Sequence, residues 1–366
     1  MKKPVNFLII IVSSVLLVSC YSTKASTQKA DAEVKNVILM IGDGMGLADV
    51  YAAMTVSGKP LNIERCPVIG LQKTFSEDSY ITDSGAAGTA LATGTKTNNG
   101  AIGMDPEGNH VKSILEIAEE YGLSTGLVST SSLTHATPAS FIAHQSSRNN
   151  YEGIAYDFLS TDIDVFIGGG YDNFAKRRDK LNLIDSLKVR GYEVDTSMNS
   201  VLASRSLKIA GLTAPMHNPY RLKGRGDMLP AASGKAIEVL SKNPDGFFLM
   251  IEGSQIDWAG HANTADTLVD ETIDFDEAVG VALDFARKDG HTLVIVTSDH
   301  ETGGVTITGG DRQDQTVNLN FSTTDHTAIM VPVYAYGPGA ESFMGIYDNT
   351  EIFHKIVEAY GFKQVK

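Results

Sequence analysis

The sequence predicts an α/β fold, a three-layer sandwich in which a mostly parallel central sheet is flanked by helices on both faces. Three observations predict it: apolar runs that suit strands buried on both faces, stretches of helical period between them, and polar residues clustered just beyond the ends of the runs. At 366 residues, 42% hydrophobic and 20% charged, the chain can bury one large core, so whole-chain disorder and a coiled coil are excluded.

Asn36 to Ile41 (NVILMI) is an unbroken apolar run that ends in Gly-Asp-Gly, a buried strand followed by a tight turn. Val111 to Tyr121 has apolar residues at helical spacing, stops at Gly122, and precedes a strand at Leu127 to Ser129. Asp164 to Ile167 reads as a strand running into Gly168, Gly169 and Gly170. Phe247 to Ile251 and Thr292 to Thr297 are strands separated by a helix over Thr267 to Lys288. Ala328 to Tyr336 is a further strand, and Glu351 to Tyr360 a final helix. The stretch from Asn149 to Asp245 is less legible, with a basic, loop-like segment at Arg221 to Arg225.

Before the first strand lies an address. Lys2 and Lys3 precede an apolar run from Phe7 to Val18, too short to span a membrane comfortably but suited to a secretory signal. The run ends in Leu17-Val18-Ser19-Cys20, which resembles a bacterial lipoprotein box; ordinary signal cleavage is the alternative. The expected organisation is a signal at 1–19, a Ser/Thr/Lys/Ala-rich tether at 20–33 and one catalytic domain at 34–366. The protein is then exported to the periplasm or cell envelope, touching the membrane only through a lipid on Cys20. Cys66 is the one other cysteine, so no disulfide framework is expected, and it reads as a buried thiol. With 30 Lys+Arg against 44 Asp+Glu, the net charge of −14 argues against nucleic acid as a partner. A small anionic substrate would need local positive charge from metals, arginine or backbone N–H groups.

Six clusters can carry chemistry. Gly42-Asp43-Gly44 exposes a carboxylate at a strand end, as a metal ligand requires, although a plain turn also uses such residues. Asp83-Ser84-Gly85 opens a small-residue helix with Ser84 in the first turn; there an anion is favoured, or Asp83 or Ser84 simply caps the helix. No Gly-x-Ser-x-Gly elbow surrounds Ser84, so a nucleophilic role would need another activator such as a metal. His135, Thr137, His144 and Arg148 lie within fifteen residues. Arg148 offers a fork for two phosphoryl oxygens, while His135 and Thr137 can reach a metal or its waters. Asp257 and His261 are four apart and fall on one helical face, where they can share a metal, and Glu252 can serve a different ion. Asp299-His300 follows a strand directly, and Asp325-His326 precedes one. His110, His144, His217, His291 and His354 are read as structural or surface residues.

In this order, from about Asn36 to Gly361, the six segments resemble the alkaline phosphatase family. The resemblance implies that Ser84 is the nucleophile that becomes phosphorylated and that Arg148 clamps the phosphate. It implies that Asp257, His261 and His326 hold the zinc on the leaving-group side, and that Asp43, Asp299 and His300 hold the zinc beside the serine. Asp43 would also bridge to a third site, normally magnesium, completed by Thr137 and Glu252. The implied cofactors are thus two Zn2+ and one Mg2+ per chain, acting on phosphate monoesters with broad specificity.

Two positions depart from well-known bacterial members, as in other bacterial branches. His135 stands where they have an Asp that holds the magnesium waters, so zinc can compete at the third site. Trp258 stands where they have a Lys near the phosphate, and it either walls the substrate pocket or packs beside Asp257. Only residues 301–325 separate His300 from His326. The crown insertion is therefore expected to be short, the site more open and the crown's share of a homodimer interface smaller. The alternatives are another reaction of the superfamily, such as phosphodiester or sulfate hydrolysis or phosphomutase chemistry, and a non-catalytic phosphate- or metal-binding lipoprotein. The first is disfavoured because Ser84-Gly85-Ala86-Ala87-Gly88 lacks the Cys/Ser-x-Pro-x-Arg setting of sulfatases, and Thr137 and Glu252 supply the third site that diesterases generally lack.

Overall fold

Every residue of the first strand, β1 (Asn36–Gly42), is buried, as its unbroken apolar run requires. Val37, Leu39 and Ile41 enter one core, while Ile38 and Met40 enter a second on the opposite face. This alternation is the physical reason for three layers: a strand apolar on both sides needs helices on both sides. Each large apolar side chain so buried contributes roughly 1.5–3 kcal/mol, and truncating a central one, as in Leu39→Ala, would cost about 2–5 kcal/mol.

The computed structural model describes residue 1 and residues 33–363, and residues 33–363 carry the fold. The signal expected at 1–19 and the tether at 20–33 lie, Met1 and Glu33 aside, outside the described residues. Among the described residues, no helix is long and apolar enough to cross a membrane.

The remaining strands are β2 (Val68–Lys73), β3 (Ser124–Ser132), β4 (Val165–Gly169), β5 (Glu193–Asp195), β6 (Ile209–Ala214), β7 (Phe247–Gly253) and β8 (Thr292–Thr297). They continue with β9 (Glu301–Thr302), β10 (Val305–Asp311), β11 (Thr316–Phe321), β12 (His326–Thr327), β13 (Val331–Tyr336) and β14 (Gly345–Asp348). Ten of these form the central sheet in the order β14-β2-β13-β8-β1-β7-β3-β4-β6-β5. Only β13 runs against its neighbours, so the sheet is mostly parallel as expected. Its central strand β1 pairs with β7 and β8, and the carboxyl ends of all three open on the same edge.

The helices are α1 (Leu47–Ser57), α2 (Ser84–Thr93), α3 (Ile114–Glu120), α4 (Ala136–Ala139), α5 (Tyr151–Asp157) and α6 (Tyr171–Ala175). They continue with α7 (Leu183–Val189), α8 (Met198–Ala203), α9 (Met228–Leu240), α10 (Gln255–His261), α11 (Ala265–Asp289) and α12 (Thr350–Tyr360). Leu91, Ile117 and Ile356, on α2, α3 and α12, cover one face of the sheet; Ala53, Leu229 and Phe275, on α1, α9 and α11, cover the other.

Two expected element starts move three residues later for local reasons. The helix expected from Val111 begins at Ile114, because Ser113 caps it: its hydroxyl accepts from the Glu116 N–H while Glu116 accepts from the Ser113 N–H. The strand expected from Ala328 begins at Val331, and Ile329 and Met330 are exposed ahead of it. The basic segment at Arg221 to Arg225 holds a single 3-10 turn, but Arg225 itself is buried. The 301–325 segment contains the β10-β11 hairpin. Cys66 is a free, buried thiol, and burial pushes its pKa up to about 12.

Candidate active site

The expected site residues gather at the carboxyl edge of β1, β7, β3 and β8. Asp43 directly follows β1, and the turn needs Gly44: its φ is +73°, and a Cβ there would lie 2.8 Å from the Asp257 Cα. Glu252 is the penultimate residue of β7, with Asp257 and His261 on the helix α10 that follows. Asp299 and His300 leave β8, and His326 opens β12. Ser84 is the first residue of α2, whose N-cap Asp83 accepts from the Ala86 N–H at 2.9 Å, a cap that contributes about 1 kcal/mol. His135 and Thr137 sit at the head of the short α4.

There the chain forms three groups of convergent ligand atoms. Asp257, His261 and His326 make one, Asp43, Asp299 and His300 a second, and Asp43, His135 and Glu252 a third, each with its atoms within 4.8 Å of one another. Within the first, His261 Nε2 is 3.3 Å and His326 Nε2 3.5 Å from Asp257 Oδ1. Within the second, His300 Nε2 is 3.4 Å from both Asp43 Oδ1 and Asp299 Oδ2. Ser84 Oγ lies 3.2 Å from that same Nε2. Thr137 Oγ1 lies 3.4 Å from Asp43 Oδ2, which joins it to the third group.

The imidazoles are turned for ligation. His261 Nδ1 contacts the Thr324 carbonyl at 2.7 Å and His326 Nδ1 the Thr82 carbonyl at 2.8 Å. A carbonyl only accepts, so each Nδ1 carries the hydrogen and each Nε2 presents its lone pair to the group. Thr302 does the same for the second group: its hydroxyl donates to Asp257 Oδ1 at 2.5 Å and so can accept from His300 Nδ1 at 3.2 Å. Glu252 Oε2 accepts from the Ser129 hydroxyl at 2.5 Å, which leaves its other oxygen for the third group.

The electrostatics are those of a cluster built for cations. Asp43 Oδ1, Glu252 Oε1, Asp299 Oδ2 and His135 Nδ1 are buried without a hydrogen-bond partner. Such atoms cost about 1–3 kcal/mol each if nothing satisfies them. Burial, with Asp299 close by, pushes the Asp43 carboxyl well above the usual carboxylate range, and burial lifts Glu252 to about 7. Burial pulls His300 well below its ordinary value and His135 down to about 3, so both imidazoles are neutral and able to ligate. Dications among four buried carboxylates and neutral imidazoles satisfy every one of these groups together, so the residues present fit the metal sites implied by the sequence.

The guanidinium of Arg148 is held by Oδ2 of Asp83, the residue before Ser84, at 2.9 Å. Trp258 stands edge-on to His135, His217 and Tyr220, with ring centroids 5.8, 4.8 and 6.5 Å apart. It therefore belongs to an aromatic wall next to the third group. His217, read from the sequence as structural or surface, is part of that wall, and its Nδ1 accepts from the Ser132 N–H at 3.1 Å. His144 is structural as expected, bonded to the Gly103 carbonyl and to Glu116. The sequence reading missed Thr302 and Ser129. Both had a signal: Thr302 lies two residues after His300, and Ser129 begins a run of four hydroxyl residues in a buried strand.

Fold and site together define a metal-dependent α/β enzyme. The Alkaline phosphatase family model matches residues 34–320 and 308–362. Alkaline phosphatase 4 of Bacillus subtilis is 37% identical over 413 residues, covering 90% of this chain and 89% of the relative. The alkaline phosphatase of Escherichia coli is 34% identical and covers 91% and 88% respectively. The solved alkaline phosphatase from the Antarctic bacterium TAB5 is 45% identical with a TM-score of 0.86, covering 91% of this chain and 100% of that one. A variant of that enzyme, with a histidine replaced by aspartate, is described with Mg bound in the M3 site. The chain belongs to the alkaline phosphatase family, and it is accordingly a metal-dependent hydrolase of phosphate monoesters.

Proposed function

We propose that the chain hydrolyses phosphate monoesters of broad type to an alcohol and inorganic phosphate through a phosphoserine at Ser84. One observation carries the reading: Ser84 Oγ, on a helix N-terminus, faces the Nε2 of His300 in the Asp43/Asp299/His300 group. Asp257, His261 and His326 would hold one Zn2+, and Asp43, Asp299 and His300 a second. Asp43, Thr137, Glu252 and His135 would hold the third ion, Mg2+ or, because an imidazole joins the oxygens, Zn2+. When bound, such ions stabilise charge on the entering and leaving oxygens of an in-line displacement.

The chain's own residues then have distinct tasks. Ser84 Oγ attacks phosphorus as the bond to the leaving alcohol breaks, and Arg148 grips two non-bridging oxygens with its fork. Attack of water on the phosphoserine frees phosphate and restores the Ser84 hydroxyl, giving overall retention at phosphorus. Trp258 and His217 wall one side of the pocket, and a site that grips the phosphoryl group alone accepts many alcohols.

We assign residues 1–19 to a signal, 20–33 to a tether carrying a lipid on Cys20, and 34–366 to the catalytic domain, exported to the cell envelope. A homodimer is supported by an apolar groove of 840 Å3 that includes Leu47, Tyr51, Ile329 and Met330, of which the first three are more than half exposed. Sedimentation of Ile329→Asp beside the wild type tests it.

The experiment for the mechanism is a rapid acid quench with 32P-labelled p-nitrophenyl phosphate, alongside bis-ester and sulfate substrates. Wild type traps labelled protein and Ser84→Ala does not; label on Ser84→Ala would overturn the phosphoserine.

A further inference from the structure

Beneath the aromatic wall lies an ion cluster with almost no exposure. The side chains of Arg225, Glu271 and Asp274 are 1%, 2% and 1% exposed, and Arg225 Nη2 lies 2.5 Å from Glu271 Oε2 and 2.7 Å from Asp274 Oδ2. Both carboxylates belong to α11. The other guanidinium nitrogen, Nη1, donates to the Pro219 carbonyl at 3.0 Å and to Gln255 Oε1, while Gln255 Nε2 donates to the Asn218 carbonyl. One arginine thus ties three pieces together: the long helix α11, the segment 216–225, and the first residue of α10.

Two of those pieces carry the site. Gln255 is two residues from Asp257 and three from Trp258 on the same helix. The segment 216–225 brings His217 and Tyr220 to the indole. It runs so close to the end of β4 that a Cβ on Gly169 would collide with the Met216 carbonyl. A buried ion cluster adds little net stability over apolar packing of the same volume. What the Arg225 fork supplies is direction, since its planar donors accept one arrangement of partners.

We propose that Arg225 is a positioning residue for the phosphatase reaction, acting through Gln255 to set the angle of α10 and thereby the placement of Asp257 and Trp258. This rests on the assignment of Asp257 to a metal site under the proposed function. A partner bonded directly to a ligand is typically worth about 10–100-fold in metal affinity; Gln255 lies two residues from Asp257, so an effect at the low end of that range is expected.

The test uses holoenzyme of the full chain and exploits Trp258 as the only tryptophan among 366 residues. Gln255→Met and Arg225→Lys are compared with Arg177→Lys, a second buried arginine, whose partner is Asp179. For each, melting temperature, tryptophan emission, kcat and KM for p-nitrophenyl phosphate, and zinc retained against graded chelator are measured. Gln255→Met and Arg225→Lys are expected to shift the emission to the red and to release zinc at roughly tenfold lower chelator. Their kcat should fall more than KM changes, while Arg177→Lys moves only the melting temperature. If all three variants alter the melting temperature alone, the cluster is purely structural and the proposal is overturned. Should Arg225→Lys fail to fold, Gln255→Met decides by the same readouts. Full activity in Ser84→Ala would instead sink the underlying mechanism, a result independent of these variants.

Discussion

The imidazoles of His300 and His326 lie face to face, with centroids 3.6 Å apart and planes 19° from parallel. One ring belongs to the Asp43/Asp299 group and the other to the Asp257/His261 group. The two groups therefore share a wall and cannot adjust independently. Thr302 reinforces this, because its single hydroxyl touches Asp257 of one group and His300 of the other.

Thr302→Val removes that hydroxyl at nearly constant volume. Asp257 Oδ1 loses a donor and His300 Nδ1 an acceptor, so both groups lose orientation. Metal affinity is expected to fall about 10–100-fold in both. Elemental analysis after dialysis at graded chelator concentrations checks it; loss confined to one ion would show that Thr302 serves a single group.

Removal of the metals should destabilise the fold as well as abolish activity. Without cations, Asp43 Oδ1, Glu252 Oε1 and Asp299 Oδ2 are buried acceptors with no partner. A ligand at a thousand times its Kd stabilises by about 4 kcal/mol. Scanning calorimetry with and without chelator is expected to show a melting temperature lower by several degrees in the stripped protein, restored by adding Zn2+ and Mg2+. An unchanged melting temperature would contradict the cluster's dependence on cations.

Gly44→Ala should disable the enzyme while the sheet survives. The added Cβ meets Asp257 Cα and Thr302 Oγ1 at a φ of +73°. Strain of this kind costs about 1–3 kcal/mol, and it falls on Asp43 and Asp257 together. At least a tenfold fall in kcat/KM is expected, with far-UV circular dichroism unchanged. Wild-type kinetics would show that the turn tolerates a side chain.

Far from the site, burial lifts the Glu119 carboxyl to about 7, against bonds from the Asp162 N–H and the Thr125 hydroxyl that pull it down. A carboxyl whose pKa is raised on folding binds its proton more tightly in the native state. Its contribution is full below the unfolded pKa near 4.3 and is lost as pH rises through 7. In Glu119→Gln that loss disappears, and the Thr125 hydroxyl can turn to accept from the new amide. Allowing for partial exposure, the variant is expected to gain about 2 kcal/mol on wild type between pH 5 and pH 9. Melting curves at the two pH values measure it, and a constant difference between the proteins would refute the burial argument.

The sequence by itself determined the central strands β1, β3, β7 and β8, the helical spacing of Asp257 and His261, and the identities of the residues that gather at the site. These depend on local rules: apolar runs, i,i+4 spacing, and glycines beside Asp43 at the end of a strand. Val111 and Ala328 were misplaced by a few residues because the Ser113 capping box and the exposed Ile329-Met330 segment override periodicity at element ends. Only the tertiary structure decided that Thr302 serves both groups, that His217 joins the wall, and that Arg225 is buried against α11. Those pairings join residues far apart along the chain, and their proximity comes from the order in which β1, β7, β3 and β8 lie side by side. Strand order is a property of the whole packed sheet, so no local pattern in the chain encodes which carboxylate meets which imidazole.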